Sequence, residues 1–86
     1  LWKPNRQVRS VKRGHTLRIQ VPAAFRLHWS DDGWGSVKNT PSSAAISGIN
    51  FVDIPIAAEQ QAPIQFTFFW TATGLWEGRD YAVRPE

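Results

Sequence analysis

Ile64-Gln65-Phe66-Thr67-Phe68-Phe69-Trp70 runs directly into Thr71-Ala72-Thr73-Gly74-Leu75-Trp76-Glu77-Gly78-Arg79-Asp80-Tyr81-Ala82-Val83. Large apolar groups recur at every second position, Ile64, Phe66, Phe68 and Trp70. Successive side chains of a strand point to opposite faces, so these four share one face and need a facing layer to cover it. Thr71 to Gly74 has the composition of a turn, and alternation resumes at Tyr81 and Val83. Trp76 stands between them as a large aromatic among loop residues, where a ring either packs beneath a neighbour or meets a ligand.

The same period recurs upstream. Leu17, Ile19 and Val21 alternate with Thr16, Arg18 and Gln20, which predicts a half-buried strand ended by Pro22. Phe25, Leu27 and Trp29 alternate with Arg26, His28 and Ser30, so His28 belongs to the polar face of a third strand. Asp31-Asp32-Gly33 is a turn, and Trp34 follows at its exit.

Trp2 to Lys12 reads as an edge strand with a bulge, joined through Gly14 in a hairpin with the Leu17 strand. Val37 and Lys38 begin a short strand, Asn39 to Ser43 reads as loop, and Ser42 to Ser47 has the composition of a mobile segment. Ile49 to Ile56 is a strand that either is buried on both faces or contains a bulge, with Pro55 at its end. Ala57 to Ala62 is a connector with room for one helical turn at most. Together these features predict an all-β protein, a seven-strand antiparallel immunoglobulin-like β-sandwich without amphipathic helices. Trp29, Trp70, Phe25, Phe66 and Phe68 are expected in its core.

Eighty-six residues make one small domain, residues 1–86, in which about 60% of the unfolded chain's surface can be buried. The chain begins Leu1-Trp2-Lys3-Pro4 rather than with Met, and a domain excised from a longer multidomain polypeptide is expected. Cysteine is absent, which excludes disulfides and thiolate metal sites and leaves the compartment open. No apolar run approaches the ~20 residues of a membrane-spanning helix. Every charged residue from Lys3 to Arg26 is basic, the first acid being Asp31. That basic first third suits phosphates or an acidic surface of a parent protein.

Catalytic patterns are missing. His15 and His28 are the only imidazoles, no serine lies in a nucleophile elbow, and two histidines without a spaced third ligand make a weak metal site, so no metal is expected. Asp31 and Asp32 are explained as turn formers, and Glu77 and Asp80 as loop residues beside Arg79. No cofactor is implied. What remains is aromatic: Trp34 and Trp76, with Trp2 or Tyr81 as further candidates at strand ends, have His28, Arg26, Lys38, Asn39, Glu77 and Arg79 as polar neighbours in sequence. Flat rings rimmed by hydrogen-bonding groups suit sugars. Single-stranded nucleic acid, stacking on rings and tracking the basic first third, is the weaker competitor. The structural alternative is that Trp34 and Trp76 close the ends of the sandwich or pack on a neighbouring domain.

The segments Phe25-Arg26-Leu27-His28-Trp29-Ser30-Asp31-Asp32-Gly33-Trp34, Ile54-Pro55, Ile64 to Trp70 and Leu75-Trp76-Glu77-Gly78-Arg79-Asp80-Tyr81 occur in the order seen in a known group. Over most of residues 17 to 83 the chain resembles the C-terminal β-sandwich region of bacterial glucoamylase-type enzymes, the glycoside hydrolase family 15 and glucodextranase-like group. More distantly it is similar to the small immunoglobulin-like starch-binding modules of amylases. The resemblance implies a non-catalytic accessory domain of a glucan 1,4-α-glucosidase-like hydrolase that releases glucose from α-glucans on a separate catalytic domain. In the starch-binding relatives, a strand His or Tyr and two loop tryptophans form the sugar platform, and His28, Trp34 and Trp76 match those positions. Glu77 and Arg79 are second-rank candidates. The implied partners are an α-glucan or maltooligosaccharide and the catalytic domain of the same chain.

Overall fold

In the computed structural model, which describes residues 1–86, the period-two stretches become strands. In chain order these are β1 (Ser10–Val11), β2 (Thr16–Val21), β3 (Phe25–Ser30), β4 (Lys38–Pro41), β5 (Ser43–Ala44), β6 (Asn50–Pro55), β7 (Ile64–Trp70), β8 (Leu75–Trp76) and β9 (Tyr81–Pro85). A single 3-10 turn, Ile46–Gly48, is the one helical element. The strands form two sheets, a larger one ordered β1-β9-β7-β3-β4 with β8 also paired to β7, and a smaller one ordered β2-β6-β5.

β7 is the axis of the larger sheet. One flank pairs with β3 along its whole length, from Phe25 opposite Trp70 to Ser30 opposite Gln65. The other flank is shared by β9, which meets Ile64 to Phe66, and β8, which sets Trp76 opposite Phe69. β8 and β9 thus form one flanking ribbon, interrupted by residues 77–80. The Glu77 N–H still donates to the Phe68 carbonyl at 2.9 Å, so the interruption stays attached.

The two sheets bury their apolar faces against each other, forming a β-sandwich. Phe25, Leu27, Ile64, Phe66, Phe68 and Val83 come from the larger sheet, and Leu17, Ile19, Val21, Val52 and Ile54 from the smaller. Full burial of each such side chain stabilises the fold by about 1.5–3 kcal/mol before ordering costs. No buried side-chain polar atom lacks a hydrogen-bond partner.

Several expectations are corrected. Trp2 is a core residue rather than an exposed strand-end ring: it is 1% exposed and is among the largest fully buried side chains, although it also borders a cavity with Gln7, Arg9 and Tyr81. Its N–H donates to the Arg18 carbonyl at 2.7 Å and its carbonyl accepts from the Gln20 N–H at 2.9 Å, so the N-terminal arm lies parallel beside β2. The ring then sits against Phe66 and Tyr81, at centroid distances of 5.1 and 4.9 Å. Trp2 carries no alternating neighbours, which is why local periodicity could not place it.

The expected hairpin between the first two strands does not form. β1 pairs in parallel with β9 in the larger sheet, whereas β2 pairs with β6 in the smaller. Gly14, with φ 81°, turns the chain between the sheets, and its N–H donates to the Ile56 carbonyl at 2.8 Å. Asn39 to Ser43 is not loop: β4 pairs with β3, β5 pairs with β6, and the chain changes sheets at Ser42. There the Ser42 N–H donates to the Phe25 carbonyl at 2.8 Å and its Oγ accepts the Phe25 N–H at 3.1 Å. Pro41 is tolerated because it ends an edge strand.

Trp29 and Trp70 are only partly buried, at the rim of the core. Each indole N–H needs an acceptor, which the apolar centre lacks. Trp29 donates to Thr40 Oγ1 at 3.0 Å, and Trp70 to Glu77 Oε1 at 3.2 Å.

Candidate functional site

The outer face of the larger sheet presents the residues that alternate with the core. Register sets Asn39, His28 and Thr67 side by side across β4, β3 and β7, and sets Pro41, Arg26, Phe69 and Trp76 in the next such row. His28 therefore lies within reach of Trp76, which is 48 positions later in the chain.

His28 is the hub of an aromatic group. Its ring stacks on Trp34 at a centroid distance of 5.8 Å and an interplanar angle of 24°. Trp76 meets it edge-on at 5.3 Å and 81°, and Trp76 also packs on Phe69 at 5.1 Å. His28 Nδ1 is hydrogen-bonded to Asn39 Oδ1 at 2.8 Å, which leaves Nε2 as the second polar atom of the ring. His28, Trp34, Thr67 and Asp80 line a shallow depression of about 290 Å3. Trp76 is 50% exposed, so half of its surface faces solvent beside this group.

Trp34 is held in an unusual backbone conformation. Its φ is 70°, directly after Gly33 at φ 70°, a left-handed pair that glycine accepts easily and a bulky residue does not. Holding Trp there costs about 1–3 kcal/mol. Ser30, fully buried at the end of β3, supplies the restraint. Its Oγ accepts the Trp34 N–H at 3.0 Å and donates to Asp32 Oδ1 at 2.7 Å, and Asp32 Oδ1 in turn accepts the Ser36 N–H at 2.8 Å. Ser30 is the positioning residue that the sequence reading did not single out, whereas Asn39, expected only as a polar neighbour, holds His28. The signal available was Ser30 continuing the face of Arg26 and His28 immediately before a turn.

The same bonds set the acid response of the turn. The Ser36 N–H, then the Ser30 hydroxyl, hold the Asp32 carboxyl below the usual carboxylate range. A depressed carboxyl stabilises the fold above its unfolded value and loses that contribution as pH falls through the folded one. The Trp34 turn is therefore expected to be intact at neutral pH and to loosen below about pH 4. Titrating the Trp34 indole resonance from neutral to acid checks this, and Asp32→Asn should show the loosened position already at pH 7.

The remaining candidates are not brought to the same place. Trp76 faces outward opposite Phe69, and Glu77, the next residue, turns to the other side. The Glu77 carboxylate accepts from Trp70 Nε1 at 3.2 Å and from the Tyr81 hydroxyl at 2.7 Å, so it serves the rim of the core. Burial, together with that carboxylate, pushes the Tyr81 phenol above its usual range. Arg79 lies over the Tyr81 ring, 5.3 Å from its centre, and lines a different cavity. Its carbonyl accepts from Thr67 Oγ1 at 2.7 Å, which anchors the 77–80 interruption to β7.

The basic first third does not gather into one patch. Arg18 pairs with Asp53 on the smaller sheet at 2.8 Å, Arg13 donates to the Gln60 carbonyl at 2.7 Å, and Arg26 lies over Phe69 on the larger sheet. No group of three or more His, Cys, Asp or Glu side chains is placed to hold a metal ion.

A cycloisomaltooligosaccharide glucanotransferase of Niallia circulans is 25% identical to the chain over 95 residues, covering 96% of this chain and 10% of that enzyme. The chain thus spans about a tenth of the length of that curated relative. No family model and no solved structure matches it.

Proposed function

We propose that this chain is a non-catalytic accessory β-sandwich of a glucan-active enzyme and that it binds α-glucan weakly through His28, Trp34 and Trp76. The observation that carries this reading is the meeting of the three rings on one outer face, from β3, the turn after it and β8. Trp76 stands steeply to the His28 and Trp34 rings, and consecutive α-linked glucose units are themselves set at an angle. Ring faces would stack on the sugar's apolar side, while His28 Nε2, Asn39 and Asp80 would meet hydroxyl groups.

The relative that matches is named for glucan transfer, which supports a glucan-related role in kind. The glucoamylase-type parent, the immunoglobulin-like relationship and the preference for starch are finer parts of the same proposal. A tethered module of this sort raises the local substrate concentration without altering the chemistry. Its affinity should be low, since the depression is shallow and open to water.

Maltoheptaose and isomaltoheptaose, titrated separately, test the reading through tryptophan fluorescence and side-chain indole shifts. A saturable change at Trp34 and Trp76 is expected with at least one of them, and the stronger response assigns the linkage. If neither sugar moves either indole at saturating concentration, the binding reading fails.

One observation favours a second reading. Trp76, 50% exposed, packs beside Phe69 on the outer face of the larger sheet, and its ring would pack well against the catalytic domain of a parent chain. In that architectural role the domain binds no sugar. Nucleic-acid binding is a third and lesser proposal, weakened by the dispersal of Arg13, Arg18 and Arg26.

A further inference from the structure

A second cavity, of about 560 Å3, adjoins the His28 depression, and Asp80 lines both. It lies between the Gln7–Arg9 arm and the segment from Arg79 to Arg84. Three guanidinium-bearing residues, Arg9, Arg79 and Arg84, line it against a single acid, Asp80. The ion pairs of the protein are Arg18 with Asp53 and Lys38 with Asp31, so none of the three is neutralised by a carboxylate.

Their positions are set by the backbone. The Arg84 N–H donates to the Arg9 carbonyl at 2.9 Å, and Ser10 is in parallel register with Arg84, which holds two of the arginines on neighbouring strands. Arg79 belongs to the anchored interruption, where its carbonyl accepts from Thr67 and its guanidinium lies over Tyr81. Like charges held on a common wall repel, and an anion placed among them removes that repulsion while accepting planar, paired N–H donors. The volume falls within the range of about 300–1,000 Å3 usual for small-ligand sites.

We propose that this cavity binds an oxyanion, the carboxylate or phosphate group of a sugar-sized ligand, with Arg9, Arg79 and Arg84 as its donors. Neutral glucan requires no such surplus of positive charge, so this site is distinct from the His28 platform and stands or falls separately from it. Asp80 on the shared wall would select against a ligand carrying negative charge on that side.

Three probes, glucuronate, inorganic phosphate and glucose, are titrated at constant ionic strength while the Arg9 and Arg84 amides and the Arg79 Nε–H are followed by NMR. Saturable shifts are expected with glucuronate, phosphate or both, and none with glucose. Glucuronate alone assigns a carboxylate sugar, phosphate alone a phosphate-bearing ligand, and both together the shared oxyanion chemistry. The Arg9→Gln/Arg84→Gln double variant should weaken the response at least about tenfold, as should Arg79→Gln, while leaving the maltoheptaose and isomaltoheptaose titrations unchanged. All three arginines are exposed, so the circular-dichroism spectrum should be retained. The proposal is overturned if neither anion gives a saturable shift, if glucose gives an equal one, or if the folded variants bind the anion as tightly as the parent.

Discussion

Trp2→Ala is expected to lower the unfolding free energy by about 3–5 kcal/mol, the range for truncating a large buried aromatic. A domain of this size has a total stability of roughly 4–13 kcal/mol at the usual ~0.05–0.15 kcal/mol per residue, so the variant should be close to unfolding. The ring is 1% exposed and contacts Phe66, Phe68 and Tyr81, with centroid distances of 5.1, 5.7 and 4.9 Å. The ring is packed within the buried cluster, so its truncation leaves a cavity in the core. Urea denaturation followed by circular dichroism measures the loss, and Trp2→Phe should recover a large part of it. A cost below about 1 kcal/mol would mean that the N-terminal arm is not docked between the sheets.

Trp76→Ala is expected to weaken α-glucan binding at least about tenfold, equivalent to ~1.4 kcal/mol, while changing stability by no more than about 0.5 kcal/mol. Half of the Trp76 ring is exposed and β8 is two residues long, so little of the fold depends on it. Trp34→Gly separates the same two effects more sharply. It removes the ring from the platform and also relieves the positive φ of a bulky residue, so binding should fall while stability holds or rises. Calorimetric or fluorescence titration beside denaturation of each variant reads both. Unchanged sugar affinity in both variants would shift the assignment of Trp76 to a packing surface.

Much of the fold was legible because a half-buried strand writes its facing into local alternation. β2, β3 and β7 could be read with the correct inward residues, since Leu17, Ile19, Phe25, Leu27, Phe66 and Phe68 alternate without interruption. β4 and β5 were not legible, because Lys38–Pro41 and Ser43–Ala44 bury little and owe their pairing to neighbours already in place. The parallel β1–β9 pairing was hidden for a related reason: Ser10–Val11 is too short to display a period.

The site divides in the same way. His28 was readable as outward-facing from its two neighbours, and Trp34 and Trp76 as rings that the core did not claim. Glu77 was misleading because adjacency in a ribbon separates residues to opposite faces, and its carboxylate goes to Trp70 and Tyr81. Arg79 was placed beside the aromatic group by sequence, yet it lines the neighbouring cavity with Arg9 and Arg84.

Local patterning alone thus specifies an all-β chain of strand-length alternations, a core of aromatic and branched residues, no disulfide, and a small set of rings left over. The pairing of the strands and the packing of the two sheets are what bring His28, Trp34 and Trp76 together, bury Trp2, and set Arg9, Arg79 and Arg84 around one cavity. Alternation is a local consequence of strand geometry, whereas the choice of pairing partner depends on every apolar face being covered at once. Residues 28 and 76 become neighbours only through the successive registers of β3 on β7 and β7 on β8, and no property of either segment alone contains that distance.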